Sequence, residues 1–176
     1  MSTRWVFKPE PGREAASRLA GEIGIDPLLA GLLVQRGIRD FESARRFFRP
    51  ELSHLHDPMQ MQDMEQAVDR LEDALTRGER ILVYGDYDVD GTTSVALMAA
   101  YLRKYSDAVA TYIPDRYREG YGLSRQGIEF ADDNGMGLIV ALDCGVKAIE
   151  QARYARSKGI DLIICDHHRP GETLPE

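Results

Sequence analysis

The sequence predicts an α/β protein: a parallel sheet flanked by helices from about residue 80 onward, preceded by an N-terminal helical segment. Three observations predict it. Four short apolar runs, at 81–84, 108–113, 138–142 and 160–165, are continuous rather than alternating, as parallel strands covered on both faces require. The runs recur at intervals of about 20 to 30 residues, counted from start to start, which leaves room for a crossover helix in each gap. The first 60 residues read as helical and irregular instead, with helix caps and helix-spaced apolar residues.

In chain order, Pro11 and Gly12 precede a short helix from Arg13 to Leu19, ended by Gly21 and Gly24. Asp26-Pro27 supplies a cap and a first-position proline for a second helix, whose stripe is Leu28, Leu29, Leu32, Leu33 and Val34. Asp40 caps a third, carrying Phe41, Ala44, Phe47 and Phe48 and stopped by Pro50. Residues 50–61 read as a loop in which His54 and His56 face solvent, while Trp5 near the start is expected to pack. A longer helix over 62–76 places Met64, Ala67, Val68, Leu71, Ala74 and Leu75 on one face. Between the strands the helices fall at 92–104, 124–133 and 146–157, with Ser124 as a cap. The expected division is a helical leader over 1–60 and an α/β domain over 61–176.

The chain has 176 residues, 43% of them hydrophobic, and a formal charge of −7. That composition argues against a disordered acidic tail. No apolar run approaches the ~20 residues of a membrane helix, and the first residues lack a secretory apolar core. Two cysteines, Cys144 and Cys165, are too few for a disulfide framework and suit a reducing cytoplasm. The expectation is a soluble cytoplasmic protein without a membrane partner. Its charge is uneven: residues 1–80 hold 12 basic and 14 acidic groups, residues 81–176 hold 10 and 15. Five acids of the second half, Asp86, Asp88, Asp90, Asp143 and Asp166, sit in three short motifs. Clustered carboxylates repel one another unless a cation lies between them.

Each motif follows a predicted strand. The first strand runs into Gly85-Asp86-Tyr87-Asp88-Val89-Asp90-Gly91, the third into Asp143-Cys144-Gly145, the fourth into Asp166-His167-His168. Right-handed crossovers place all three at one edge of the sheet, where open α/β domains bind ligands. Asp88 and Asp90 can reach two adjacent cations, Asp143 can bridge them, and His167 supplies a nitrogen. Such a donor set suits Mn²⁺ or Mg²⁺, and a metal pair can activate water for phosphoryl chemistry. For any one aspartate the competing role is a helix N-cap. A zinc site from Cys144, Cys165, His167 and His168 lacks the paired-cysteine spacing; Cys165 is expected to end a buried strand. Arg116, Arg118 and Arg125 follow the second strand and can touch phosphate or remain solvated. Tyr117 and Tyr121 are expected to pack in their loop rather than stack on bases.

At these residues the sequence resembles the DHH phosphoesterase superfamily, named for the triplet present here as Asp166-His167-His168. The 85–91 segment looks like its first motif and Asp143-Cys144-Gly145 like its second. The stretch Pro114-Asp115-Arg116-Tyr117-Arg118-Glu119-Gly120-Tyr121-Gly122-Leu123 is similar to one in the RecJ-type single-strand-specific 5′→3′ DNA exonucleases, and the helical leader fits that branch.

The resemblance implies metal ligation by Asp88, Asp90, Asp143 and His167, with Mn²⁺ or Mg²⁺ in a two-metal site. It places His168 against the scissile phosphate, with Asp86 and Asp166 as ligands or as supports behind them. It implies a hydrolase of DNA repair or recombination acting on single-stranded DNA, with repair or replication proteins as further partners. A fourth-motif aspartate and the DNA-binding domains have no counterpart before Glu176. The expectation is therefore an N-terminal piece, weakly active alone and prone to self-association through an open sheet edge. Two alternatives stay open: a phosphoesterase for short oligonucleotides, cyclic dinucleotides or pyrophosphate, and a non-catalytic replication scaffold. Aspartates at 88, 90 and 143 argue against the scaffold.

Overall fold

In a computed structural model, residues 3–6 and 12–175 are described. The chain divides into two compact units, Met1–Gln60 and Met61–Glu176. Pro11, expected to precede the first helix, and the terminal Glu176 lie outside the described residues. Among the described residues no helix is long and apolar enough to cross a membrane.

Among its described residues the first unit holds three α-helices, α1 (Arg13–Ile23), α2 (Pro27–Gln35) and α3 (Phe41–Phe48). Their shared core is Leu19, Ala20, Ala30, Leu33, Val34 and Ala44. α1 runs through Gly21, which has open space around it, and stops only at Gly24 in the left-handed region. Asp26 caps α2 by accepting the Leu28 N–H, and Asp40 caps α3 by accepting the Ser43 N–H. The expected leucine stripe of α2 divides. Leu33 and Val34 are buried, whereas Leu28, Leu29 and Leu32 are exposed, because a run of adjacent leucines covers more than one side of a nine-residue helix. Trp5 is 92% exposed, which corrects the packing expected of it. Two 3₁₀ turns, Leu52–His54 and Pro58–Gln60, break the 50–61 loop. His54 is only half exposed, since its Nδ1 accepts the Glu51 N–H; His56 is exposed.

The second unit opens with α4 (Met64–Arg77). It continues as β1 (Ile81–Gly85), α5 (Val89–Leu102), β2 (Val109–Tyr112), α6 (Arg125–Asp133), β3 (Leu138–Leu142), α7 (Ile149–Ser157) and β4 (Asp161–Cys165). All strands are parallel, in the order β2-β1-β3-β4. Alternate residues of β1 feed opposite faces. Leu82 and Tyr84 join Ile128 and Ala131 of α6 and Ala155 of α7; Ile81 and Val83 join Ala74 of α4 and Val95, Ala99 and Leu102 of α5. Burial of each such Leu or Ile contributes roughly 1.5–3 kcal/mol. Every residue of β1 and β3 is buried, but the edge strands β2 and β4 are only partly covered. That corrects the expectation of two covered faces for all four, and Cys165 at the end of β4 is exposed. α5 starts at Val89, three residues earlier than expected, because Asp88 caps it. α7 starts at Ile149 rather than 146, the intervening residues being held in a turn.

From β1 the chain crosses to β2, then returns to lay β3 along the other side of β1. The reversal leaves a crevice between the carboxyl ends of β1 and β3. Tyr84 anchors the loop that borders it: its buried hydroxyl donates to Gly122 O (2.7 Å) and accepts the Ser124 N–H (3.1 Å). Tyr84→Phe strands two buried backbone groups and is expected to cost about 1–3 kcal/mol in urea unfolding. An unchanged midpoint would show that water replaces the hydroxyl there.

Candidate metal centre

The crevice is built from strand ends. β1 delivers Asp86, which is 1% exposed and whose Oδ1 has no hydrogen-bond partner among the described residues. The chain then turns sharply into α5, where the Asp88 carboxylate accepts the N–H groups of Asp90 and Gly91, both at 3.0 Å. Asp88 is thus a helix cap and a site carboxylate at once. The hydrogen bond from Gly91 is the main cause holding its carboxyl below the usual range. Asp90, in the first turn of α5, is exposed.

β3 delivers Asp143. Its N–H donates to Cys165 O (2.9 Å), extending the β3–β4 ladder one residue past the strand and aligning the two loops. Asp143 has φ 61, a left-handed conformation rare for a residue with a side chain. Burial first, and then the neighbouring Asp88 carboxylate, push its carboxyl upward, against a bond to His167. One oxygen, Oδ1, meets His167 Nε2 at 2.9 Å; the other, Oδ2, is buried with no partner among the described residues.

β4 delivers the histidine pair, and Asp166 fixes it. The Asp166 carboxylate is buried and accepts the N–H groups of Val146 and His168, both at 3.0 Å, while its Oδ1 lies 2.7 Å from His168 Nδ1. Burial opposes the charge of Asp166, but these bonds outweigh it and keep the carboxyl low. The hydrogen bond to Asp166 in turn raises the His168 ring. Asp143, His167 and His168 each offer a ligand atom within 4.8 Å of the others. The structure therefore brings 143, 167 and 168 together, sets Asp88 beside them and Asp166 behind them, buries Asp86, and leaves Asp90 outside the tight cluster.

Several expectations about the flanking loop change. Tyr121 brings its hydroxyl to 3.2 Å from His168 Nε2 and packs edge-on against Tyr87, so an aromatic wall borders the cluster. Burial, followed by the charges of Asp166, Asp86 and Asp143, holds that hydroxyl up at about 12. Residue type alone gives neither tyrosine a contact with the site; the available signal is their place inside two motifs. Arg116 lies over the Tyr87 ring at 5.0 Å, and Arg118 is exposed. Arg125 pairs with Glu129 at 3.0 Å and lies over the Tyr154 ring at 4.4 Å. Tyr117 is 96% exposed and does not pack. Cys144 is buried and its thiol pushed up to about 12 by that burial, a structural rather than a reactive cysteine.

Glu119 holds the loop to the sheet. It accepts Tyr112 Oη (2.9 Å), Ser124 Oγ (2.6 Å) and the Asp115 N–H (2.8 Å). Burial opposes its charge, but those donors prevail and its carboxyl lies below the usual range. A depressed acid stabilises the fold above its unfolded value near ~4.3 and loses that contribution as pH falls through the folded value. Glu119→Gln is therefore expected to lower the neutral-pH melting temperature by roughly 2–4 °C, for about 1 kcal/mol, and to flatten the acid limb. Thermal scans from pH 7 to pH 3 that run parallel in both proteins would refute this.

The profile of the DHH family, N-terminal domain, matches residues 80–176. The single-stranded-DNA-specific exonuclease RecJ of Bacillus subtilis is 41% identical over 173 residues, covering 98% of this chain and 22% of the relative. That of Escherichia coli is 38% identical over 152 residues, covering 86% of this chain and 26% of the relative. The crystal structure of RecJ in complex with Mn²⁺ from Thermus thermophilus superposes with a TM-score of 0.64 at 26% identity, over 94% of this chain and 23% of that one. The chain thus spans about a quarter of the length of these relatives.

Proposed function

The chain belongs to the DHH family, and from that premise we propose that it forms part of a Mn²⁺- or Mg²⁺-dependent exonuclease that degrades single-stranded DNA from the 5′ end. One observation carries the reading: Asp143, His167 and His168 converge beside buried carboxylate oxygens, Asp143 Oδ2 and Asp86 Oδ1, that accept from nothing among the described residues. Buried acceptors without donors are costly and are expected where a cation supplies the missing charge. A set of carboxylates and imidazoles suits Mn²⁺ or Mg²⁺. Asp88, Asp90, Asp143 and His167 would hold the metals, with Asp86 beneath them. When bound, such a pair activates water and stabilises charge on the phosphate.

The remaining work belongs to the chain. Asp166 clamps His168 at Nδ1, which orients Nε2 to donate to a phosphate oxygen. Arg116 and Arg118 are the proposed further phosphate contacts. In the same proposal residues 1–60 are a helical leader and 61–176 the N-terminal part of the catalytic domain, supported by the family match. Action on single-stranded DNA is supported by the names of the relatives; a place in repair or recombination, with repair or replication proteins as partners, belongs to the same proposal. Two free cysteines support a reducing, cytoplasmic setting.

The test uses the protein at its full natural length with 5′-labelled single- and double-stranded DNA, with and without Mn²⁺. Release of mononucleotides from single strands only, and only with metal, is the expected result. Equal cutting of both forms, or cleavage of cyclic dinucleotides alone, would overturn the assignment.

A further inference from the structure

The N-terminal unit carries a groove of about 250 Å³ between the end of α1 and the face of α3. Buried Ala44 and half-buried Ile23 form its floor, Phe41 and Phe48 its walls, and Arg45 and Arg49 its rim. Phe41 and Phe48 are 49% and 57% exposed, far more than a core needs. Phe47, equally exposed, meets Phe48 edge-on at 5.2 Å and continues the aromatic surface.

The charge around the groove runs against the rest of the chain. Residues 36–49 contain five arginines and two acids, within a protein of net −7. Arg36 binds the Leu32 carbonyl and Arg45 pairs with Glu42, but Arg39, Arg46 and Arg49 have no side-chain bond or ion pair among the described residues. Glu22, at the other rim, is paired with Arg18 at 3.8 Å. Free guanidiniums beside half-exposed phenyl rings match a ligand that alternates negative charge with flat apolar faces. Single-stranded nucleic acid has that chemistry: bases stack on aromatic side chains while phosphates meet arginine.

We propose that this groove binds a single-stranded nucleic acid, a base seated between Phe41 and Phe48 and its phosphate on Arg49, the rim guanidinium that carries no ion pair among the described residues. The inference rests on the nuclease reading and adds to it a contact that the metal centre does not supply. Because this contact needs neither Asp143 nor a metal, it acts as a holding site for the strand rather than as a place of cleavage.

Fluorescence anisotropy with labelled oligo(dT) in EDTA reads binding without cleavage. Phe48→Leu keeps apolar volume but removes the stacking face, and Arg49→Gln removes one charge. Each is expected to weaken binding at least fivefold at low salt without changing the thermal melt. Arg49→Gln should also reduce the slope of log K against log salt by roughly 0.7, the share of one phosphate on a single strand. Ultraviolet crosslinks should map to the peptide spanning 41–49. Unchanged affinity with crosslinks elsewhere would overturn the proposal. So would variants that alter only self-association or attachment to anionic vesicles, since the groove would then serve another partner. Oligo(dT) bound here by a protein that shows no Mn²⁺-dependent cleavage would support the groove and refute the nuclease reading alone.

Discussion

Asp143→Asn is expected to lower metal-dependent cleavage about a thousandfold or more and, in the same protein, to raise the melting temperature measured in EDTA. The first effect follows from the proposed metal site: a carboxylate would be lost where charge is to develop on the phosphate, which typically costs several kcal/mol. The second follows from what Asp143 endures without metal. Its carboxylate is buried, one oxygen has no partner among the described residues, and Asp88 stands beside it with the same charge. The folded carboxyl is raised, so the charged form opposes folding. Stability is lost as pH climbs from the unfolded value near ~3.9 through the folded one. Asparagine carries no charge and tolerates a φ of 61 better than most residues. A gain of about 1 kcal/mol, or roughly 2–4 °C, is expected above pH 6, together with loss of the upward shift on adding Mn²⁺. A variant no more stable than the parent in EDTA would mean that Asp143 is not a strained ligand. A retained Mn²⁺ shift would mean that it is not a ligand at all.

Gly91→Ala should do more damage than any surface change in the same motif. A Cβ there would stand 2.6 Å from Asp86 N and 2.7 Å from Asp86 C, and backbone cannot move aside as a flexible side chain does. Gly85 is constrained reciprocally: its Cβ would approach Gly91 O at 2.9 Å. The end of β1 and the start of α5 pass at contact, and this close passage seats Asp86 inside the crevice. The expected loss is about 3 kcal/mol or more, at the upper end of overpacking costs. Mn²⁺ titration should show weakened binding even at temperatures where the variant remains folded. If Gly91→Ala melts within 2 °C of the parent, a span of about 1 kcal/mol or less, the two segments are farther apart than described.

The parallel strands were legible because continuous apolar runs need cover on both faces, and the gaps had room for crossover helices. The edge of the sheet that carries the site was legible for the same reason, since strand direction fixes which ends meet. Burial of individual leucines was not. Leu28, Leu29 and Leu32 read as core by hydropathy and lie exposed, because burial depends on which neighbour covers a face and not on the face itself. The start of α5 moved by three residues because a motif aspartate serves as its cap.

The sequence by itself determined the chemistry brought to the crevice: carboxylates after β1 and β3, a carboxylate and two imidazoles after β4. Residue type and strand order are local properties, so a linear reading reaches them. Only the tertiary structure decided how those groups divide the labour. It tied Asp166 to Val146 and His168, left Asp143 Oδ2 buried without a donor, and brought Tyr121 against His168 across 47 positions. Those choices depend on distances between segments far apart in the chain. They are set by the register of β3 against β4 and by the close turn at Gly91, which no run of residues specifies alone.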